Sequence, residues 1–394
     1  MSSPGKIVFI VLDSIGIGEA PDAGAYGDKG ANTLGNTAKA VGGLRLPSLQ
    51  KLGLGNIAPI LGVSPVHLPD GCYGRMRAVS KGKDSTTGHW EIAGVIVEKD
   101  FPYYPKGFPP EVIEKFISAT GTHGVLGNRP ASGTQIIEEF GDEHVRTGFP
   151  IVYTSGDSVF QIAAHEDVIP LRELYRICQA ARDTVLVGEH AVGRVIARPF
   201  VGKSGKYERT ANRRDFSLQP PGTTVIDLLH AHGVPTVSIG KIDDLFSGRG
   251  LKEKIHTHSN AEGIEEIIRQ SSAAKHSFIM TNLVDFDMLY GHRQDPKGMA
   301  GALEYFDTEL PRILETIRGD DLLLITADHG NDPTDKSTDH SREYVPLLTY
   351  CRNGKKGVNL GVRRTFADAG KTVARYFGVD KSSLAGTSFL NLIL

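Results

Sequence analysis

The 394-residue sequence predicts an α/β protein, with a mainly parallel sheet flanked by helices and an inserted α/β domain. Two observations predict this class. Continuously apolar, β-branched runs of strand length alternate with helical patterns, as in right-handed βαβ units. A middle stretch between two proline-rich connectors interrupts that alternation. The chain is also long enough for two or three domains.

The predicted core elements are short apolar runs and the helical patterns among them. Runs of this kind are typical of strands buried on both faces of a sheet. The predicted strands are 7–12, 234–239, 277–283 and 322–326. The predicted helices are 223–232, 259–270 and 299–318.

The middle of the chain has a different composition. Residues 101–111 (FPYYPKGFPPE) and 216–222 (FSLQPPG) are proline-rich connectors. We therefore expect an inserted domain over 101–220, carried by a discontinuous core of residues 1–100 and 221–394. Inside the insertion, helices are predicted near 110–119 and 169–186, and strands at 150–154, 158–163 and 193–200.

Composition excludes several classes of protein. The apolar fraction of 40% and charged fraction of 23% are those of a globular protein. The net charge of −2 gives no strong attraction to nucleic acid, and no apolar run is long enough for a signal segment or membrane span. Three widely spaced cysteines match no disulfide or metal framework, which favours a reducing compartment. We expect a cytoplasmic protein without membrane or nucleic-acid partners, whose oligomeric state the sequence leaves open.

Three hydroxyl side chains stand in a row in the stretch KGKDSTTGHWE: Ser85, Thr86 and Thr87. One interpretation is a polar turn, and the other is a nucleophile. A nucleophilic hydroxyl needs an activating group, which must come from elsewhere in the chain.

Carboxylates and imidazoles follow three of the predicted strands. They are Asp13 after 7–12, Asp287 and His292 after 277–283, Asp328 and His329 after 322–326, and then His340. Taken singly, Asp13 could be a helix cap, Asp328 part of a turn, and His340 a surface residue. Because the strands end at one edge of a parallel sheet, where ligands bind, the combination favours a metal site.

Three carboxylates and three imidazoles exceed the ligand set of one catalytic zinc ion. They suit two metal ions that share a site. Mixed oxygen and nitrogen ligands fit manganese, zinc or iron better than calcium. A two-metal site clamps the oxygens of a phosphoryl transfer and can also activate a hydroxyl.

Four motifs together resemble the bacterial phosphopentomutases of the alkaline phosphatase superfamily: VLDSIGIGEAPDA, GKDSTTGHWEIAG, NLVDFDMLYGHR and TADHGNDPT. The likeness extends over essentially the whole chain and implies an alkaline-phosphatase-like core with the insertion as a cap. It places the nucleophile at Ser85, where the family usually has Thr, so Thr86 and Thr87 remain alternatives. It implies two Mn²⁺ ions, one held by Asp13, Ser85, Asp328 and His329, the other by Asp287, His292 and His340.

The resemblance also implies a binding site for the sugar phosphate. Its residues correspond to Asp157, Arg194 and Arg209 of the insertion and Lys241 of the core. Arginine suits this role because its planar fork matches phosphate oxygens. The alternatives are a turn for Asp157 and an exposed basic cluster for Arg209. In the GHWE string, His89 and Glu91 are expected to support the Ser85 loop, and Trp90 to be a core or wall residue.

The implied activity is that of an isomerase that interconverts ribose 1-phosphate and ribose 5-phosphate, and the 2-deoxyribose phosphates. Phosphorylated Ser85 would pass its phosphate to the sugar through a 1,5-bisphosphate, after activation by a sugar bisphosphate such as glucose 1,6-bisphosphate. The main alternative is a metal-dependent phosphomonoester hydrolase. A sulfatase is disfavoured because no C/S-x-P-x-R string occurs, a phosphoglycerate mutase because GHWE is present, and a non-catalytic metal-binding module because the Ser85 loop is intact.

Overall fold

The computed structural model describes residues 5–155, 158–380 and 384–394. The chain divides into two units. We call Met1–Lys99 with Pro220–Leu394 the core unit, and Asp100–Gln219 the inserted unit.

The regular elements are numbered along the whole chain. The strands are β1 (Ile7–Leu12), β2 (Cys72–Met76), β3 (Leu126–Pro130), β4 (Ile151–Thr154), β5 (Val159–His165), β6 (Arg194–Lys203), β7 (Lys206–Arg209), β8 (Arg214–Ser217), β9 (Thr236–Ile239), β10 (Glu253–Ile255), β11 (Phe278–Leu283), β12 (Leu322–Thr326), β13 (Val345–Tyr350) and β14 (Asn359–Arg363). The α-helices are α1 (Thr33–Val41), α2 (Pro47–Leu52), α3 (Ser85–Ile92), α4 (Pro110–Thr120), α5 (Gly133–Thr147), α6 (Leu171–Ala180), α7 (Val225–Ala231), α8 (Ile242–Leu245), α9 (Asn260–Ala273), α10 (Pro296–Thr316), α11 (Ala367–Tyr376) and α12 (Leu390–Ile393). Two π-helical segments are Ala181–Val185 and Phe286–Gly291.

The core unit contains an eight-stranded sheet in the order β10-β9-β11-β1-β12-β13-β2-β14. The five strands from β10 to β12 are parallel, whereas β13 pairs antiparallel with both β12 and β2. Every residue of β1, β11 and β12 is buried, because helices flank the sheet. The prediction of a mainly parallel α/β fold is confirmed.

The predicted core strands and helices all form; β1 and β12 have the predicted ends, and the ends of the others differ by at most three residues. Helix α10 begins three residues before the predicted 299, because Asp295 caps it by accepting a hydrogen bond from the Gly298 amide and Pro296 takes the first helical position. The sequence patterns missed β2, β13 and β14, which extend the sheet beyond its parallel part.

The inserted unit contains a six-stranded sheet in the order β3-β4-β5-β6-β7, with β8 also paired to β6. One face packs against α4 and α6 through residues such as Phe116, Phe160 and Leu174. The other face packs against α5 through Ile136, Ile137 and Phe200. The predicted long helix at 169–186 is α6 followed by a π-helical turn, and α5 was not predicted.

Within the part of the chain that the structure describes, no helix is both long and apolar enough to cross a membrane.

Candidate metal centre and nucleophile

The order of the strands brings the predicted metal ligands to one edge of the core sheet. Strands β11, β1 and β12 are adjacent and parallel, so their carboxyl ends coincide. Asp13 directly follows β1, and Asp328 and His329 follow β12 after one residue. Asp287 lies in the π-helical segment that follows β11.

Asp13, Asp328 and His329 form one group of potential ligands, with their ligand atoms within 4.8 Å of one another. His329 Nε2 lies 3.4 Å from Asp13 Oδ1 and 3.2 Å from Asp328 Oδ2. These two carboxylate oxygens are buried, and among the described residues their nearest polar neighbours are imidazole nitrogens that make no well-directed hydrogen bond to them. Buried carboxylate oxygens without donors need a cation to stabilise them.

A second group joins Asp287 and His340 to the same His329. His340 Nε2 lies 3.5 Å from Asp287 Oδ1, and His292 Nε2 lies 3.1 Å from Asp287 Oδ2. His329 thus lies between the two groups, although the family resemblance assigns it to the first site alone. The side chain of His292 is 39% exposed, so its imidazole contacts Asp287 from the solvent side of the site.

The outer nitrogens of two imidazoles are fixed by backbone carbonyls. His292 Nδ1 donates to the Thr338 carbonyl at 2.6 Å, and His329 Nδ1 donates to the Gly330 carbonyl at 3.1 Å. Each ring therefore turns Nε2 towards the carboxylates. Metal-binding histidines are commonly oriented in this way.

The pKa values of the ligand groups are shifted because several carboxylates lie close together in a buried site. Burial, Asp328 and Asp287 raise the pKa of Asp13 to about 7, while His329 and Lys241 act in the opposite direction. Burial alone would lower the pKa of His329, but Asp328, Asp13 and Asp287 raise it to about 10. The hydrogen bond to Asp287 raises the pKa of His292 to about 9. In the metal-free site these imidazoles therefore hold protons that a bound metal ion would displace.

Ser85 is placed beside the first ligand group by the start of helix α3. Asp84 caps the helix, since its side chain accepts a hydrogen bond from the Thr87 amide at 3.1 Å. Ser85 Oγ lies 3.0 Å from His329 Nε2. The Thr87 hydroxyl instead donates to Asp84 Oδ2 at 2.6 Å, and its side chain is buried. Of these two hydroxyls, Ser85 is the one that reaches the ligand group.

Gly88 allows α3 to approach the metal ligands. A Cβ atom at this position would lie 2.3 Å from the Asp328 carbonyl oxygen, which is too close for any side chain. The glycine in the GHWE string therefore sets the distance between the Ser85 helix and the end of β12.

The rest of the GHWE string supports the same loop. His89 Nδ1 lies 2.8 Å from the Ser85 carbonyl. The Glu91 carboxylate accepts hydrogen bonds from the amides of Val79 and Ser80, which precede the loop. Trp90 is fully buried and donates its indole hydrogen to the Leu245 carbonyl.

Lys241 follows β9 and is the N-cap of α8, at the same edge of the core sheet. Its ammonium acts electrostatically on Asp13, as described above. A cation in this position can attract an anionic substrate to the ligand groups.

The arginines predicted to bind phosphate lie on the inserted unit. Arg194 begins β6 and contacts Asp215 at 3.4 Å, and Arg209 ends β7 with an exposed side chain. Asp157, the third predicted residue of this unit, lies outside the described residues.

The sequence interpretation missed two neighbours of these arginines. Arg198 lies on the same face of β6 as Arg194, four residues along the strand, and the alternation of that strand was the available signal. A Cβ atom added to Gly133 would lie 2.7 Å from Tyr153 Oη and 3.1 Å from Arg209 Nη1, so these groups meet at the start of α5. Burial raises the pKa of Tyr153 above its ordinary value, while the charges of Arg198 and Arg209 act in the opposite direction.

It also missed two buried asparagines of the core unit. Asn331 donates to Asp287 Oδ1 at 2.9 Å, and Asn282 donates to Asp13 Oδ2 at 3.0 Å. The signal for Asn282 was a carboxamide near the end of a mostly apolar strand, FIMTNL.

Comparisons with known proteins place this chain in a known class. The model of the Metalloenzyme superfamily matches residues 5–381. A solved structure of Leishmania mexicana phosphoglycerate mutase has the same fold, with a TM-score of 0.51 and 11% identity over 100% of this chain and 98% of that one. The chain thus belongs to the Metalloenzyme superfamily.

The nearer relatives are curated proteins with one activity. A phosphopentomutase of Caldanaerobacter subterraneus subsp. tengcongensis is 57% identical over 98% of this chain and 97% of that protein. A phosphopentomutase of Acetivibrio thermocellus is 57% identical over 99% of this chain and 100% of that protein. The chain belongs to the phosphopentomutase family, and the resemblance that its motifs predicted is confirmed.

Proposed function

We propose that the chain is a phosphopentomutase, which interconverts ribose 1-phosphate and ribose 5-phosphate, and likewise the 2-deoxyribose phosphates. The observation that carries this proposal is its identity, over nearly the full length, to curated proteins of that activity. The geometry of the core unit agrees with it, because a helix-borne serine lies beside a group of metal-type ligands.

Ser85 is the residue that carries the phosphate. Its hydroxyl is the one that faces His329, and it occupies the first turn of α3. The amides and the dipole at a helix N-terminus stabilise a phosphate group there. Serine in place of threonine leaves the same hydroxyl chemistry available.

The ligand groups fit two metal ions. Asp13, Asp328 and His329, with Ser85, would hold one ion, and Asp287, His292 and His340 the other. The support is the set of buried ligand atoms that make no well-directed hydrogen bond among the described residues: Asp13 Oδ1, Asp328 Oδ2 and His340 Nε2. We assign manganese because the resemblance to the family implies it, and oxygen and nitrogen ligands without thiolate are compatible with this ion. Bound ions would stabilise negative charge on the transferring phosphoryl oxygens.

The reaction consists of two phosphoryl transfers. A free hydroxyl of the sugar phosphate attacks the phosphorus on Ser85, the bond to Ser85 Oγ breaks, and a 1,5-bisphosphate forms. The bisphosphate reorients, and its other phosphate returns to Ser85. The second transfer is the reverse of the first at the other end of the sugar, so the proton released in the first is taken up again in the second. The first phosphate on Ser85 comes from a sugar bisphosphate such as glucose 1,6-bisphosphate.

The inserted unit acts as the cap of this enzyme. Arg194 and Arg209 bind the phosphate group that is not being transferred, together with Lys241 of the core unit and with Asp157. Charge-assisted contacts from guanidinium groups suit phosphate oxygens. A cap that excludes water protects the phosphoenzyme from hydrolysis, as a mutase requires.

The three cysteines of the chain, Cys72, Cys178 and Cys351, are buried and free. Unpaired thiols are stable in a reducing compartment. We therefore assign the protein to the cytoplasm.

One experiment separates a mutase from a phosphatase. The purified protein is incubated with Mn²⁺, ribose 5-phosphate and a trace of glucose 1,6-bisphosphate, and both ribose 1-phosphate and inorganic phosphate are measured. A mutase forms ribose 1-phosphate and releases inorganic phosphate at a small fraction of that rate. Release of inorganic phosphate as fast as ribose 5-phosphate disappears would instead identify a phosphomonoester hydrolase.

A further inference from the structure

We propose that Asn282 is a positioning residue of the reaction, one that fixes the Asp13 carboxylate and, through His89, the start of the Ser85 helix. The role in turnover rests on the proposed function, whereas the role in metal binding does not. Asn282 is the fifth residue of β11, is 1% exposed, and lies opposite Val11 of β1 in the parallel register. The two strands bring its side chain next to Asp13.

The carboxamide nitrogen of Asn282 has two partners. Nδ2 lies 3.0 Å from Asp13 Oδ2 and 3.2 Å from His89 Nε2. An amide nitrogen carries two hydrogens. One hydrogen can therefore be donated to the carboxylate and the other to the imidazole.

The surroundings of His89 fix which of its nitrogens accepts. His89 Nδ1 lies 2.8 Å from the Ser85 carbonyl and 3.2 Å from Asp328 Oδ2, and both of these atoms are acceptors. Nδ1 must therefore carry the hydrogen, which leaves a lone pair on Nε2 for Asn282. The side chain of His89 is fully buried, so water does not compete for these contacts.

The result is a continuous chain of contacts from Asp13 through Asn282 and His89 to the first residue of α3. Asn282 holds Oδ2 of Asp13, which leaves Oδ1 turned towards His329. His89 holds the Ser85 carbonyl and lies against Asp328 Oδ2. One carboxamide thereby orients a metal ligand and the helix that carries the nucleophile.

The type of residue matters at this position. Leucine would fill a similar volume, but it would leave Asp13 Oδ2 and His89 Nε2 without a donor. An aspartate would place a further carboxylate against Asp13. Loss of a group that orients a metal ligand commonly weakens metal binding or activity about 10–100-fold.

The test compares Asn282→Leu with a matched control on the same strand. Thr281 precedes Asn282, is fully buried, and points to the other face of the sheet, so Thr281→Val is the control. Binding of Mn²⁺ alone is measured by electron paramagnetic resonance of the free ion. The kcat and KM for ribose 5-phosphate and the thermal midpoint of the metal-free protein are measured beside it.

The expected result for Asn282→Leu is Mn²⁺ affinity lower by about 10–100-fold. The kcat should fall by a similar factor, with KM within about threefold of the wild type, because only the ligand and nucleophile are misplaced. Thr281→Val should match the wild type in all three. Asn282→Thr, which has a smaller β-branched side chain suited to a strand, repeats the test if the leucine variant does not fold. Wild-type Mn²⁺ affinity in a folded Asn282 variant would overturn the proposal.

A double-mutant cycle tests the path through His89. Asn282→Leu and His89→Ala both break the hydrogen bond between these two residues, so the loss of kcat in the double variant should be smaller than the product of the two single losses. If the two losses multiply, Asn282 and His89 act independently and the chain of contacts is refuted. If the wild type forms no ribose 1-phosphate, the proposed function fails, yet the Mn²⁺ measurement still decides the role of Asn282 in the metal site.

Discussion

The core unit and the inserted unit present their charged residues in opposite ways. In the core unit Asp13 and Asp328 are at most 2% exposed, and each is held by a hydrogen bond from a buried neighbour. In the inserted unit the side chain of Arg194 is 39% exposed, and Arg209 lies on the exposed strand β7. The first arrangement fixes atoms for chemistry, and the second leaves cations accessible to a ligand.

This difference predicts how each region responds to substitution. A buried charge that loses its partner remains unsolvated, which costs several kcal/mol. An exposed cation is solvated and screened in the free protein, and its contribution appears only when a ligand binds it. Substitutions in the core site should therefore abolish turnover, whereas substitutions of the arginines should weaken substrate binding by a graded amount.

The largest effect is expected for the nucleophile. Ser85→Ala should lower turnover by at least about 10³-fold, because the phosphate acceptor is lost. Ser85→Thr should retain much of the activity, since it keeps the hydroxyl beside His329. Turnover and phosphate on the peptide that contains Ser85, after incubation with glucose 1,6-bisphosphate, measure both variants. Full activity in the alanine variant would move the nucleophile to Thr86 or Thr87.

The metal ligands should give the next largest effect. Asp328→Asn should weaken one metal ion and His340→Ala the other, each lowering kcat by about 100-fold or more, because metal ions contribute several kcal/mol to phosphoryl transfer. Metal content per chain and kcat are the measurements. Asp70→Asn is the control, since this exposed carboxylate is paired with Lys356 and belongs to neither ligand group.

A result with one ion per chain in active enzyme, unchanged by either substitution, would contradict the two-site assignment. Loss of both ions from His340→Ala would point to His329 as a ligand shared by the two groups, which is the position that the structure gives it.

The arginines of the inserted unit should give a smaller effect, confined to substrate binding. Each charge-assisted contact contributes about 1.5–3 kcal/mol, so Arg209→Ala should raise KM for ribose 5-phosphate by about 10–150-fold. The KM for a generic aryl phosphate should change far less, since that substrate has no second phosphate group. Arg146→Ala, which removes an exposed arginine of α5, is the matched control. Equal losses on both substrates would mean that Arg209 acts on folding instead.

The sequence predicted the core better than the inserted unit for a physical reason. Strands buried on both faces, such as β1 and β12, are continuously apolar, and the residue after such a strand must lie at the sheet edge. Asp13 and Asp328 could thus be placed without a structure. The role of Asn282 could not be predicted in this way. It depends on contacts with Asp13 and His89, which are 269 and 193 residues away in the chain.

The missed helix α5 is a different case. Its signals were present in the sequence: Ser132 caps the first turn, Ile136, Ile137 and Phe140 follow a helical spacing, and Gly148 ends the helix with a φ of 75°. The face of β6 that carries Arg194 and Arg198 could not be predicted from the sequence. The alternation of a strand shows which residues share a face, but it does not show which face of the sheet a helix covers.

The smallest predicted effect concerns a buried histidine of the inserted unit. His144 is fully buried, donates from Nδ1 to the Phe149 carbonyl at 2.7 Å, and accepts the His165 amide hydrogen at Nε2 at 2.9 Å. Burial lowers its pKa below the ordinary value near 6.5. A proton on His144 Nε2 would also point at the hydrogen of the His165 amide, and the two donors would repel each other. Protonation of His144 is therefore unfavourable in the folded unit.

This lowered pKa fixes the sign of the pH dependence. Below about pH 6.5 the unfolded chain binds a proton at His144 and the folded unit does not, so stability falls as pH falls, by at most about 1.4 kcal/mol per pH unit. Hydrogen exchange of β4 and β5 amides, corrected for the intrinsic rate at each pH, should show protection decreasing from pH 7 to pH 5. His144→Gln should flatten this dependence, and His123→Gln, at an exposed site of the same unit, should not. Fluorescence of Trp90 reports the core unit separately, because it is the only tryptophan of the chain. If protection of the β4 and β5 amides decreases with falling pH in His144→Gln as it does in the wild type, another group of the inserted unit governs the response to acid.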